Sequence, residues 1–148
     1  MLGKSLEQIG PGSRLRLLGM DVTVTSSIDL TSEGWSWQEH QILGHAWVHW
    51  LTVEMDEGQL LCATWTERPD LVEVSPGGRK LKVDGLTFRR EDDGRGTYAI
   101  RDGSDHGDYE YYDYECDDQM LSFDRYGDGP WEASLGRAVP TGQIQVIA

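Results

Sequence analysis

The sequence predicts an all-β fold, and three observations carry that prediction. Apolar and polar residues alternate with a period of two in run after run, as in Arg14-Leu-Arg-Leu17 and Asp21-Val-Thr-Val-Thr25, which is the pattern of a strand with one buried face. No stretch sustains the period of an amphipathic helix. The 18 glycines are spaced like turn punctuation.

Taken in order, Leu6 to Ile9 reads as a single helical turn capped by Ser5 and ended by Gly10-Pro-Gly12. Arg14–Leu17, a tight turn at Gly19 and Asp21–Thr25 make a hairpin, and Thr31-Ser-Glu-Gly34 is the next loop. Trp35 to Leu43 and Trp47 to Met55 are aromatic strands around Gly44-His45-Ala46. Asp56-Glu-Gly58 turns the chain into Gln59 to Thr66, completing a β-meander. Ser75-Pro-Gly-Gly78 is the predicted junction between two halves, 10–76 and 77–148, of one domain. Beyond it the pattern echoes. Leu81–Phe88 lies over Leu15–Val22, Tyr111–Tyr114 over Trp37–His40, and Met120–Asp124 over Trp50–Glu54. This predicts two pseudo-repeated antiparallel β-meander halves packed as a sandwich or barrel. Gln143–Ile147 is the expected last strand.

The net charge of −13 divides into −7 on residues 1–76 and −6 on 77–148. A surface negative throughout repels phosphate backbones, so nucleic acids and anionic membranes are disfavoured as partners and cations or basic proteins favoured. No apolar run approaches the length of a membrane helix, and Met1-Leu-Gly-Lys4 leads into no signal-peptide core, so the expectation is a soluble, cytoplasmic protein without direct membrane insertion. Cys62 and Cys116 lack CxxC spacing and read as packed free thiols, although spacing alone leaves their pairing open.

Several short motifs join this pattern: the run Trp37 to Leu43, Trp50-Leu51, Tyr112 to Tyr114, Leu121-Ser-Phe-Asp124 and Ser134-Leu-Gly136. In these the chain, from Pro11 to Ile147, resembles a bacterial family, Domain of Unknown Function 4178, departing from it at His40 where an aromatic is expected. The resemblance implies no established activity. It implies gene neighbourhoods with polyamine-synthesis-like enzymes and membrane-stress proteins of the phage-shock type, and hence a cationic ligand or a protein partner.

No constellation reads as a catalytic or metal centre. His40, His45 and His49 with Glu39 lack the spacing of a zinc site, and His45 leaves the strand face of His49 if Gly44-His45-Ala46 is a turn. Asp102-Gly-Ser-Asp-His-Gly-Asp108 clusters oxygens as a calcium loop does, but His106 takes a ligand position and the flanks are strands. The sequence therefore predicts no metal and no cofactor. Six Trp and six Tyr beside many carboxylates are the strongest signal, because rings and carboxylates together attract ammonium groups.

The expected function is a non-enzymatic binding or adaptor module for a basic protein or polyamine-like cation, of unknown oligomeric state. Its expected ligand-binding residues are Trp37, Glu39, His40, Tyr111, Asp113 and Tyr114, gathered near a pseudo-two-fold axis, with Asp56 and Asp92 in outlying turns. The alternatives are an enzyme using Glu39 and Asp113 as an acid/base pair, and an immunity or inhibitor protein that neutralises a basic toxin.

Overall fold

Two-residue turns set the first hairpin of each half. Leu18-Gly19 and Asp84-Gly85 both adopt positive φ at both positions (48° and 82°, 54° and 77°), the backbone that matches the twist of paired strands. A computed structural model describes residues 5–148; the reading of Met1–Lys4 lies outside the described residues. The strands are β1 (Arg14–Leu17), β2 (Met20–Ser32), β3 (Trp35–Leu43), β4 (Trp50–Asp56), β5 (Gln59–Glu67), β6 (Lys80–Val83), β7 (Leu86–Ile100), β8 (His106–Cys116), β9 (Gln119–Tyr126), β10 (Glu132–Val139) and β11 (Ile144–Val146). A 3-10 turn at Leu6–Gln8 precedes them, its start fixed by Ser5 N–H donating to Gln8 Oε1 at 3.0 Å. No helix among the described residues is long and apolar enough to cross a membrane.

All eleven strands form one antiparallel sheet in the order β11-β1-β2-β3-β4-β5-β10-β9-β8-β7-β6, and a further pairing of β2 with β7 bends eight of them into a closed ring. The all-β expectation holds, and of sandwich and barrel it is the barrel that forms. Strands β1 to β5 and β6 to β10 follow mirrored paths around the ring. Any two meanders joined end to end would do so, and the order by itself does not establish that one half copies the other. Two seams join them: β5–β10, with Gly136 opposite Trp65, and β2–β7, with Ile28 to Thr31 opposite Ile100 to Thr97. Each seam needs a glycine. A Cβ on Gly96 would stand 1.8 Å from the Thr31 carbonyl oxygen, and one on Gly136 would stand 2.5 Å from the Trp65 ring.

Two of the three apolar clusters lie outside this ring, and the third, Ile28, Leu30, Tyr98 and Tyr109, lies within it. On β4, Leu51 and Val53 join a cluster with Leu15, Leu17, Val22, Val24, Ile42 and Val139, while on β9 Leu121 and Phe123 join another with Val83, Phe88, Tyr114 and Ala133. The alternate residues of the same strands, Trp50, Thr52 and Glu54, then Ser122, Asp124 and Tyr126, line the interior cavity. A β-bulge in each long strand makes this arrangement continuous. Between Val24 and Ser26 on β2, and between Arg90 and Asp92 on β7, the register slips by one. A slip of one exchanges the two faces of a strand. Val22 and Val24 thus enter the outer core while Ile28 and Leu30 point into the ring, and Phe88 and Tyr98 divide in the same way.

The structure departs from the sequence reading in four strands. β4 begins at Trp50 rather than Trp47, because Gly44 (φ 106°) breaks the ladder and His45 Nδ1 accepts from the Trp47 and Val48 amides at 3.3 and 3.2 Å. β2 and β7 run to Ser32 and Ile100, lengthened by the seam they share. β10, rich in small residues, is held by ladders on both sides. Cys62 and Cys116 are both free.

Candidate functional site

Inside the ring is a cavity of about 1430 Å³. Alternation on β3 aims Trp37 and Glu39 into it, and alternation on β8 aims Tyr109, Tyr111 and Asp113. Room for them comes from β7, whose inward positions opposite Tyr111 and Tyr109 are Gly94 and Gly96. The rings interlock. Trp37 meets Tyr109 and Tyr111 edge-on, each at 5.9 Å between centroids, Tyr109 stacks on Tyr111 at 5.7 Å, and Tyr126 packs against Tyr98 at 5.0 Å.

Carboxylates sit among these rings with neutral partners. Tyr126 donates to Glu39 Oε2 at 2.7 Å, Ser122 donates to Asp113 Oδ1 at 2.8 Å, and Tyr109 donates to Asp124. Eleven acidic side chains line the cavity against one basic residue among those described, Arg68. That arginine is held at 2.7 Å by both Asp70 and Asp84.

Uncompensated burial raises the proton affinity of these acids. Desolvation pushes Glu39 up to about 7, against the opposing hydrogen bonds of Tyr126 and Trp37 and with added repulsion from Asp113 and Glu132. Desolvation likewise lifts Asp113 to about 6, opposed by Ser122 and reinforced by Asp92, Glu54 and Glu115. Asp124 is raised well above the ordinary carboxylate range by burial and then by the Glu39 charge. Glu54 and Glu132 shift upward too, each chiefly by desolvation.

Four of the six residues expected from sequence, Trp37, Glu39, Tyr111 and Asp113, come together in the cavity. The other two project from the opposite faces of the same strands. His40 is fully buried, with Ser27 Oγ at 2.7 Å and Gln38 Oε1 at 3.2 Å from its ring nitrogens, and burial lowers it to about 4. Tyr114 borders the cavity, but its ring is fully buried beside Phe123 and its hydroxyl bridges Gly77 N and Gly78 O at 2.9 and 2.8 Å. Asp92 does not sit in an outlying turn. It lies in β7 opposite Asp113, and both it and Asp56 line the cavity.

Asp124, Tyr109, Tyr126 and Glu54 are cavity residues that the sequence reading passed over. Tyr109 falls two positions from Tyr111, Asp124 stands opposite Tyr111 and Glu54 opposite Trp37, whereas Tyr126 is reached only through Tyr109, which it faces. In the Asp102–Asp108 segment, Asp102 Oδ1 accepts from Ser104 N at 2.8 Å and Asp105 accepts from Tyr98. Among the described residues no three His, Cys, Asp or Glu side chains converge as a metal site.

Comparison with known proteins adds a family. Residues 10–141 match the family model described as Domain of unknown function (DUF4178). Uncharacterized proteins of Mycobacterium tuberculosis and Mycobacterium bovis are each 32% identical over 149 residues, covering 94% of this chain and 71% of the relative. No solved structure matches the chain.

Proposed function

Since the chain belongs to the DUF4178 family, which is defined by its sequence pattern alone, the functional argument rests on the cavity, and we propose that the protein is a binding module that takes an organic cation into its acidic-aromatic interior. One observation carries this reading: a cavity lined by eleven carboxylates whose one basic residue among those described is already engaged by two aspartates outside the site. Buried carboxylates without a counter-charge are costly, and an ammonium group supplies the missing charge. Flanking Trp and Tyr faces add cation–π attraction of about 0.5–2 kcal/mol per contact. The bound cation is a polyamine-like small molecule or the basic side chain of a protein partner.

Calorimetric titration of spermidine at low and at physiological salt tests the reading, and the absence of heat at both sinks the small-molecule form. Binding of an oligolysine peptide in its place would assign the cavity to a protein partner. A site also predicts position dependence. Glu39→Gln and Asp113→Asn weaken spermidine by about 1–3 kcal/mol, the scale of a lost charge-assisted contact, whereas Glu73→Gln and Asp117→Asn on exposed positions act only through screened charge. Equal small losses from all four would leave net charge as the only factor.

A second reading is favoured by the raised proton affinities of Glu39 and Asp113, which suit general acid/base work near neutral pH. The amide double variant separates the two, because an enzyme loses its turnover in the host and a binding module loses its ligand.

A further inference from the structure

We infer that the cavity is built for a linear diammonium ligand, with one ammonium group held by Glu39 and Asp124 and the other by Glu54 and Asp113. This rests on the cation-binding reading and names the class of cation. The argument comes from register. On the β3–β4 wall Trp37 stands opposite Glu54 and Glu39 opposite Thr52, so the two carboxylates are diagonal neighbours on one face. On the β8–β9 wall Tyr111 stands opposite Asp124 and Asp113 opposite Ser122, which makes the same diagonal. Diagonal neighbours on one face of an antiparallel pair lie about 7–8 Å apart.

Each wall therefore carries two carboxylates at one common spacing. Glu39 and Asp124 approach across the interior, joined through Tyr126 and Tyr109, whose rings touch at 5.3 Å. Glu54 and Asp113 form the second group, with Asp92 at its rim held by Tyr111 at 3.3 Å. Between the groups stand the rings of Trp37 and Tyr111, an apolar lining suited to an alkyl spacer. A compact monocation neutralises one group and leaves the other uncompensated. A chain carrying a charge at each end neutralises both, and a spacing of about 7–8 Å calls for roughly four or five methylenes between the ammonium groups.

The test is a calorimetric series on the intact protein with butylamine, diaminoethane, diaminobutane, diaminopentane and diaminooctane. Expected is an affinity maximum at diaminobutane or diaminopentane, at least about tenfold above butylamine, because the second contact forms at high effective concentration. Glu54→Gln, at a half-buried position that tolerates an amide, brings these diamines down to about the butylamine level while leaving butylamine itself within a few fold. Equal affinity for butylamine and the diamines, or a flat dependence on spacer length, overturns the diammonium assignment and leaves the cation-binding reading standing. Failure of every amine to bind removes the diammonium assignment together with the small-molecule form of the cation-binding reading. Thermal melts in the absence of amine establish that the variant is folded before its binding is compared.

Discussion

Replacing Glu39 by glutamine should make the protein more stable in alkaline solution and leave it nearly unchanged in acid. In the folded chain burial raises the Glu39 carboxyl from 4.5 to about 7. The folded state therefore binds a proton that the unfolded chain has released between about pH 4.5 and pH 7, and stability falls as pH rises through that window. Above it the full cost of the buried charge is present. Each tenfold gain in proton affinity is worth about 1.4 kcal/mol, so the rise from 4.5 to about 7 amounts to about 3 kcal/mol. The glutamine side chain keeps the shape and still accepts from Tyr126, and the value of about 7 already includes the charge-assisted bond that Tyr126 gives the carboxylate, so nothing further is subtracted. The gain is about 3 kcal/mol at about pH 8, or roughly 6–12 °C in Tm for a chain of this size. Thermal melts of both proteins from about pH 4.5 to about pH 8 measure it. The difference between variants is the quantity to follow, because the buried His40, lowered to about 4, makes the parent lose stability as pH falls below 6.5. A difference that does not change with pH, or a variant less stable at the alkaline end, would refute the claim that an uncompensated charge is buried there.

Three further outcomes follow from the geometry. Gly96→Ala drives a Cβ into the Thr31 carbonyl and should open the β2–β7 seam, with a loss of more than about 3 kcal/mol and faster amide exchange at Ile28–Thr31, while Gly142→Ala, with open space around it, is the neutral control. A thiol reagent should modify Cys116 in the native protein and reach Cys62 only on unfolding, because Cys62 is buried in the outer core and its thiol is pushed up to about 11; equal labelling rates would contradict that placement. Chains cut at Gly77-Gly78 and expressed separately should not melt cooperatively as monomers, since each gives up both the β5–β10 and the β2–β7 ladders.

Strand existence was legible because hairpin turns and alternation are local signals. Arg14–Leu17 and Trp35–Leu43 appear with the residues predicted. The ends of β2 and β7 were not legible, since Ser26–Ser32 and Asp92–Ile100 lie beyond a bulge and are held by β3 and β8 on one side and, over Ile28–Thr31 and Thr97–Ile100, by each other on the other. The pairing of Glu39 and Asp113 with cavity-facing rings could be anticipated from alternation, and the same rule places His40 and Tyr114 on the far side of their strands. That the interior would be acidic and two of the three apolar clusters external was hidden, because a bulge reverses which face of a strand the same alternating pattern serves.

Placing the two larger apolar clusters outside the ring separates the side chains that maintain the fold from most of those that line the cavity. Leu51 and Phe123 hold their strands from one side, and the residues between them are exempt from that duty. Positions that lower stability in the parent are the ones at which substitution is tolerated or even welcome to the scaffold, the familiar opposition of stability and function. Such a protein has unusual freedom to diverge. Interior acids can be exchanged for another polar set over evolutionary time, altering the character of the cavity without dismantling the architecture, and a designer could use the same eight-stranded shell as a chassis whose acidic lining is rewritten.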